Sequence, residues 1–197
     1  MATDSPIKLA VLISGEGSNL QAIIDAIEAG TLSARIEIVI SNKASANGLN
    51  RATRAGITAV VVPPVRRQSR VEYDQRLLDT LAPFAPDLIV LAGFMRILST
   101  RFVHSYANRI INIHPSLLPA YKGVNTHQRV LDAGERFHGA TVHFVTEHLD
   151  DGEMIIQSRI EIGADDDAAT LQQRVHVEEH TIYPRAIQWL NERRQRA

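Results

Sequence analysis

Five apolar runs of strand length, set between helix-spaced segments, constrain the fold of this chain more than any other feature. They lie at 8–14 (Lys8-Leu9-Ala10-Val11-Leu12-Ile13-Ser14), 36–41, 58–62, 88–92 and 109–114. Runs that stay apolar without alternating belong to strands covered on both faces, as in a parallel sheet. Between them Leu20, Ile23, Ile24 and Ile27 recur at helical spacing up to Gly30, and a short helix from Asn47 to Ala55 is closed by Gly56. A helix from about Val71 to Leu81 is expected to bury Tyr73, Leu77, Leu78 and Leu81, and Ser99 can cap another that runs to about Tyr106. After a loop, Ala120 to Asn125, and a helix ending at Gly134, the pattern changes. Strands Gly139–Val145 and Met154–Ile162 are joined by Thr146 to Glu153 with no helix between them, so they pair antiparallel. A long terminal helix follows Asp165-Asp166-Asp167, with Leu171, Val175, Ile182, Ala186, Trp189 and Leu190 on its apolar side and Pro184 predicted to kink it. The predicted class is α/β: a doubly wound, mostly parallel sheet with an antiparallel C-terminal strand pair, residues 1–197 forming a single domain.

Bulk properties narrow the function. With 45% hydrophobic residues and a formal net charge of -1, the chain can bury a substantial core and carries no stripe of basic residues for nucleic acid or a membrane surface. It has no cysteine, which removes thiol nucleophiles, disulfides and zinc–thiolate sites. The start, Met1-Ala2-Thr3-Asp4-Ser5-Pro6, is polar and does not read as a signal peptide, and no apolar run approaches the ~20 residues that span a bilayer. A soluble, cytoplasmic protein is expected.

Three places can carry chemistry. The fifth strand ends Asn112-Ile113-His114-Pro115. Strand side chains alternate faces, so Asn112 and His114 share one, at the carboxyl end where open α/β sheets bind ligands. The turn Gly15-Glu16-Gly17-Ser18-Asn19 presents backbone N–H groups at a helix start, which suits one phosphate. It matches neither the dinucleotide fingerprint nor a P-loop, and Ser18 capping an ordinary tight turn is the alternative. The loop Thr146-Glu147-His148-Leu149-Asp150-Asp151-Gly152 matters if an Asp folds back onto His114, orienting the imidazole and favouring its cation. His127, His138, His143 and His148 cluster in sequence, but none of their spacings is a metal motif, so no metal is expected.

Four segments together make the chain resemble one family. Gly17-Ser18-Asn19-Leu20-Gln21, Leu91 through Leu98, Asn112 through Pro119, and His138-Gly139 through Phe144-Val145 match, in order and spacing, the motifs of the folate-dependent phosphoribosylglycinamide formyltransferases of purine biosynthesis. The resemblance implies their Rossmann-like formyltransferase fold and transfer of a formyl group from 10-formyltetrahydrofolate, as co-substrate, to the primary amine of glycinamide ribonucleotide. It places the catalytic Asn, His and Asp on Asn112, His114 and Asp150, the last chosen because it directly follows Leu149. It places the ribonucleotide on Gly17, Ser18, Asn19 and Glu179. The folate falls to Arg70, to Met95, Arg96, Ile97 and Leu98, to Asn112, and to Thr146, Glu147, His148, Leu149 and Asp150. Two positions depart from the pattern: Glu16 replaces a neutral Asn in the phosphate turn, so its side chain must point away, and Lys122-Gly123 stands where some relatives have Pro-Gly.

The implied partners are these two small molecules, with no nucleic acid and no membrane, and a homodimer is left open. The alternatives are a 10-formyltetrahydrofolate hydrolase, a methionyl-tRNA transformylase, and a non-catalytic phosphate-binding module. The tRNA reading lacks a basic face and a further carboxy-terminal domain, the hydrolase lacks a preceding regulatory domain, and the module leaves Asn112, His114 and Asp150 unexplained.

Overall fold

In a computed structural model of the protein, which describes residues 5–196, one seven-stranded sheet in the order β3-β2-β1-β4-β5-β6-β7 organises the chain. Met1 to Asp4, most of the polar start, lie outside the described residues. The strands are β1 (Ile7–Ile13), β2 (Ala34–Ser41), β3 (Ala59–Val61), β4 (Leu88–Leu91), β5 (Ile110–His114), β6 (Phe137–Phe144) and β7 (Met154–Glu161). The helices are α1 (Ser18–Glu28), α2 (Gly48–Arg54), α3 (Arg70–Leu81), α4 (Thr100–Ser105), α5 (Thr126–Asp132) and α6 (Ala168–Arg196). The first five strands are parallel, β6 runs against β5, and β7 runs against β6. The expected antiparallel pair is present, and its first member also reverses direction against the parallel part.

The apolar runs are explained by burial on both faces. Leu9, Val11 and Ile13 of β1 enter a core shared with α1 and α6, while Ala10 and Leu12 enter a second core under α3 and α4. Chain order reverses between β1 and β4, both of which neighbour each other while their next strands lie on opposite sides. That switch point opens a crevice at the strands' carboxyl ends. The turn at Gly15, the loop at Gly93 and the end of β5 all converge there.

Helix ends follow local chemistry. Ser69 and Glu72 form a reciprocal capping box at α3, and the Ser99 side chain accepts from Phe102 N–H at α4. At α6, Asp167 accepts from Thr170 N–H at 2.8 Å. Three expectations need correction. Gly17, with φ 75°, caps α1 without any side-chain bond, so Ser18 is the first helical residue rather than the cap. Leu78 is only partly buried, while Asp74 is buried and takes Ser99 N–H at 2.5 Å. Trp189 is exposed, its ring covered by Arg193 at 4.6 Å. Helical periodicity assigns a face but not a depth, and α6 is wider than the core beneath it. α6 continues through Pro184: the proline removes one rung, and burial of Ile182, Tyr183, Ala186 and Ile187 holds the rest.

Candidate active site

Asn112 and His114 stand at the end of β5, where the antiparallel register sets His143 opposite Asn112 and Thr141 opposite His114. The same ladder leaves Phe144 opposite Ile111, so the loop after β6 must fold back over β5 to reach His114. It does. Asp150 Oδ2 lies 3.4 Å from His114 Nδ1, both side chains are buried, and Asp150 adopts a left-handed φ of 48° to make the turn. Asp tolerates that region better than most residues, and strain of this kind concentrates at functional sites.

Each ring nitrogen of His114 has a defined partner. His114 Nε2 lies 3.0 Å from the Tyr121 carbonyl, so it donates, and Nδ1 faces a carboxylate. Both ring nitrogens thus meet oxygen acceptors, an arrangement that an imidazolium satisfies with two donors. Gly123 N–H donates to Asp150 Oδ2 at 2.9 Å, and Lys122 pairs with Asp151. The loop from Ala120 to Asn125 is therefore tied to the Asp150 loop at two adjacent points.

His143 is the residue that sequence reasoning missed. Its Nδ1 donates to the Phe144 carbonyl at 2.8 Å, which leaves the Nε2 lone pair 3.3 Å from Asn112 Nδ2. That lone pair can accept only from an N–H, so the Asn112 amide is oriented with its NH2 group toward His143, and its second N–H is free. Burial pushes the His143 imidazole below its ordinary value and keeps this tautomer neutral. The only sequence signal was its place opposite Asn112, which requires knowing the register.

These groups form the floor of a cleft of about 860 Å³, walled by Phe94, Met95, Leu98, Val145 and Leu149. Arg96, Ile97, Thr146, Glu147 and His148 also line it. Arg70, the first residue of α3, is exposed and stands outside the lining. Its helix nonetheless braces the wall: Arg96 stacks on Tyr73 at 4.0 Å, and Asp74 holds Ser99. A smaller groove of about 420 Å³, between α1 and α6 near Trp189, contains none of the expected catalytic residues.

The turn at Gly17–Asn19 lies at the neighbouring end of β1. Asn19 Nδ2 donates to Glu179 Oε2 at 2.8 Å, joining two residues far apart in sequence. Burial raises the Glu179 carboxyl, although the Asn19 bond opposes the shift, and Asn19 Oδ1 is buried without a partner. The turn packs closely on α2: a Cβ at Gly17 would stand 2.6 Å from Gly48 Cα. Ser14 links the two halves of the site. Its hydroxyl donates to Asn42 Oδ1 at 2.6 Å and accepts from Met95 N–H at 2.8 Å.

The four histidines clustered in sequence divide three ways in space. His143 serves Asn112, His148 is exposed beside Glu147, and His127 Nδ1 meets His138 Nε2 at 3.0 Å. Among the described residues no three His, Asp or Glu side chains converge as a metal set, and no helix is long and apolar enough to cross a membrane. Burial lowers His138 from 6.5 to about 4. The unfolded chain therefore binds a proton between those values that the folded chain does not, and stability is lost as pH falls through this window. We expect Tm to fall from pH 6.5 toward 4 and the slope to flatten in His138→Asn. An unchanged slope would assign the acid sensitivity to other groups.

Fold and site together are those of an α/β enzyme whose cleft holds a His–Asp pair beside an amide-rich turn. The chain belongs to the formyl transferase family, whose model matches residues 7–187. It is 48% identical over 183 residues to the phosphoribosylglycinamide formyltransferase of Escherichia coli, covering 93% of this chain and 86% of that one. A solved phosphoribosylglycinamide formyltransferase from Coxiella burnetii superposes with a TM-score of 0.90 at 50% identity, over 94% of this chain and 87% of that one. The glycinamide ribonucleotide transformylase 1 of Symbiobacterium toebii gives 0.92 at 42% identity, over 95% and 88%. The protein is thus a formyltransferase.

Proposed function

We propose that the protein transfers the formyl group of 10-formyltetrahydrofolate to the primary amine of 5'-phosphoribosylglycinamide, in de novo purine biosynthesis, with residues 1–197 acting as one formyltransferase domain. The observation that carries this reading is the meeting of Asn112, His114 and Asp150 at the floor of an apolar cleft, across the single strand β4 from the Gly17–Asn19 turn. The cleft is within the usual size range for small-molecule sites, and its apolar wall suits a flat pterin while excluding water that would compete for the formyl group.

The chemistry then follows from the donors. The amine attacks the formyl carbon, a new C–N bond forms, and negative charge develops on the formyl oxygen. The free N–H of Asn112 is a fixed donor for that charge, and such a donor contributes on the order of 3 kcal/mol. His114 Nε2 exchanges the Tyr121 carbonyl for the substrate, adds a charged donor, and helps carry the proton from the amine to the folate nitrogen as the old C–N bond breaks. Asp150 stabilises the imidazolium. The turn N–H groups at Gly17, Ser18 and Asn19 take the phosphate, and Glu179 positions the ribonucleotide through Asn19.

The direct test follows the absorbance change as 10-formyltetrahydrofolate becomes tetrahydrofolate, with and without glycinamide ribonucleotide. Conversion that depends on the ribonucleotide supports the reading, conversion without it makes water the acceptor, and no conversion rejects the donor. A second prediction concerns Ser14. Removing its hydroxyl in Ser14→Ala strips both Asn42 Oδ1 and Met95 N–H of a partner, costing about 1–3 kcal/mol of stability. We expect a raised KM for the folate with kcat nearly unchanged; an unchanged KM would show that this bridge does not position the Met95 loop.

A further inference from the structure

Glu16 poses an electrostatic problem that the structure answers. It lies inside the turn assigned to phosphate, between Gly15 and Gly17, where an uncompensated carboxylate repels a dianion. Its Oε1 accepts from Arg51 Nη2 at 2.5 Å and from Asn47 Nδ2 at 2.8 Å, so the carboxylate is drawn toward α2. The same guanidinium donates through Nε to the Glu16 main-chain carbonyl at 2.9 Å, and through Nη1 toward Gln21 Oε1 at 3.4 Å. One cation therefore grips both the side chain and the backbone of the turn's acidic residue. Arg51 Cδ also lies 3.5 Å from where a Cβ on Gly17 would stand, so the side chain runs along the turn itself.

We infer that Arg51 is a specificity-determining residue for the phosphate of the acceptor: by neutralising Glu16 it leaves the turn's backbone N–H groups to set the preference for an anion. This rests on the reading of Gly17–Asn19 as the phosphate turn. The pair is not there for stability, because the Glu16 side chain is 65% exposed and pairs of that kind contribute little to folding. Its value is local. With Arg51 in place the turn carries no net side-chain charge; without it, the Glu16 carboxylate beside the turn has no countercharge. Bonds from Arg51 and then Asn47 keep the Glu16 carboxyl below its ordinary value, so it stays charged at neutral pH.

The test is a double-mutant comparison of Arg51→Met, Glu16→Gln and the two combined, with glycinamide ribonucleotide and its dephosphorylated riboside as acceptors. Arg51→Met is expected to raise the KM for the ribonucleotide by roughly five- to tenfold at low salt, with kcat, the folate KM and the riboside KM little changed. Adding Glu16→Gln should return that KM to within about twofold of the unaltered protein, a rescue that loss of packing would not show. Arg51→Lys, which keeps the charge, should stay near normal. An unchanged KM in Arg51→Met would overturn the inference. So would a double variant as impaired as Arg51→Met, since the guanidinium would then be serving the phosphate directly. Titration of the same variants with ribose 5-phosphate separates this inference from the acceptor assignment. If the unaltered protein binds that probe but does not use glycinamide ribonucleotide, the acceptor is wrong and the binding series still decides the role of Arg51.

Discussion

His114→Ala is expected to lower kcat by about 10³–10⁴-fold, with the protein still folded by circular dichroism. The imidazole has the Asp150 carboxylate on one nitrogen and donates a hydrogen bond from the other. Its loss removes the charged donor to the formyl oxygen and the carrier for the amine proton together. Folding should survive because the substitution leaves Ile111 and Ile113, which hold β5 in the core, untouched. Single-turnover kinetics with saturating folate and ribonucleotide would separate chemistry from binding. A kcat within tenfold of the unaltered protein would remove His114 from the mechanism.

Asp150→Asn is expected to cost about 10²–10³-fold in kcat while changing either KM by less than about threefold. The amide oxygen can still accept from Gly123 N–H, so the loop keeps its place. What disappears is the negative charge beside His114 Nδ1, and with it the stabilisation of the imidazolium formed during proton transfer. The split between kcat and KM is the informative readout: a loss confined to kcat belongs to the missing charge. A large rise in the folate KM would point to a displaced loop instead.

Much of the scaffold was legible because burial on both faces leaves a plain mark. The runs at 8–14 and 88–92 are apolar at consecutive positions, and their residues indeed divide between two cores. The polar interruption at Asn112 and His114 was legible for the same reason, as two hydrophilic side chains on one face of a strand that otherwise had none. Contacts made across the sheet were not. His143 became relevant only through the β5–β6 register, and Ser14 read as the end of a strand until Asn42 and Met95 were seen on either side of its hydroxyl. Arg51 was one charge on a short helix; its partner on the turn is fixed by how α2 docks, which no local pattern encodes. Periodicity placed Leu78 and Trp189 on apolar faces without saying how far each face extends inward.

The approach of Gly17 to Gly48 ties the history of two distant positions together. A methyl group at Gly17 meets the Gly48 backbone, and one at Gly48 would stand 2.5 Å from Ile13 Cδ1 and 3.2 Å from Gly17 Cα. A change at Gly17 needs α2 to move, and one at Gly48 needs at least the Ile13 side chain to shift. A residue on a helix that lines no part of the cleft thus shares the constraint of the turn it supports, most tightly at Gly17, where the obstacle is backbone and φ is 75°.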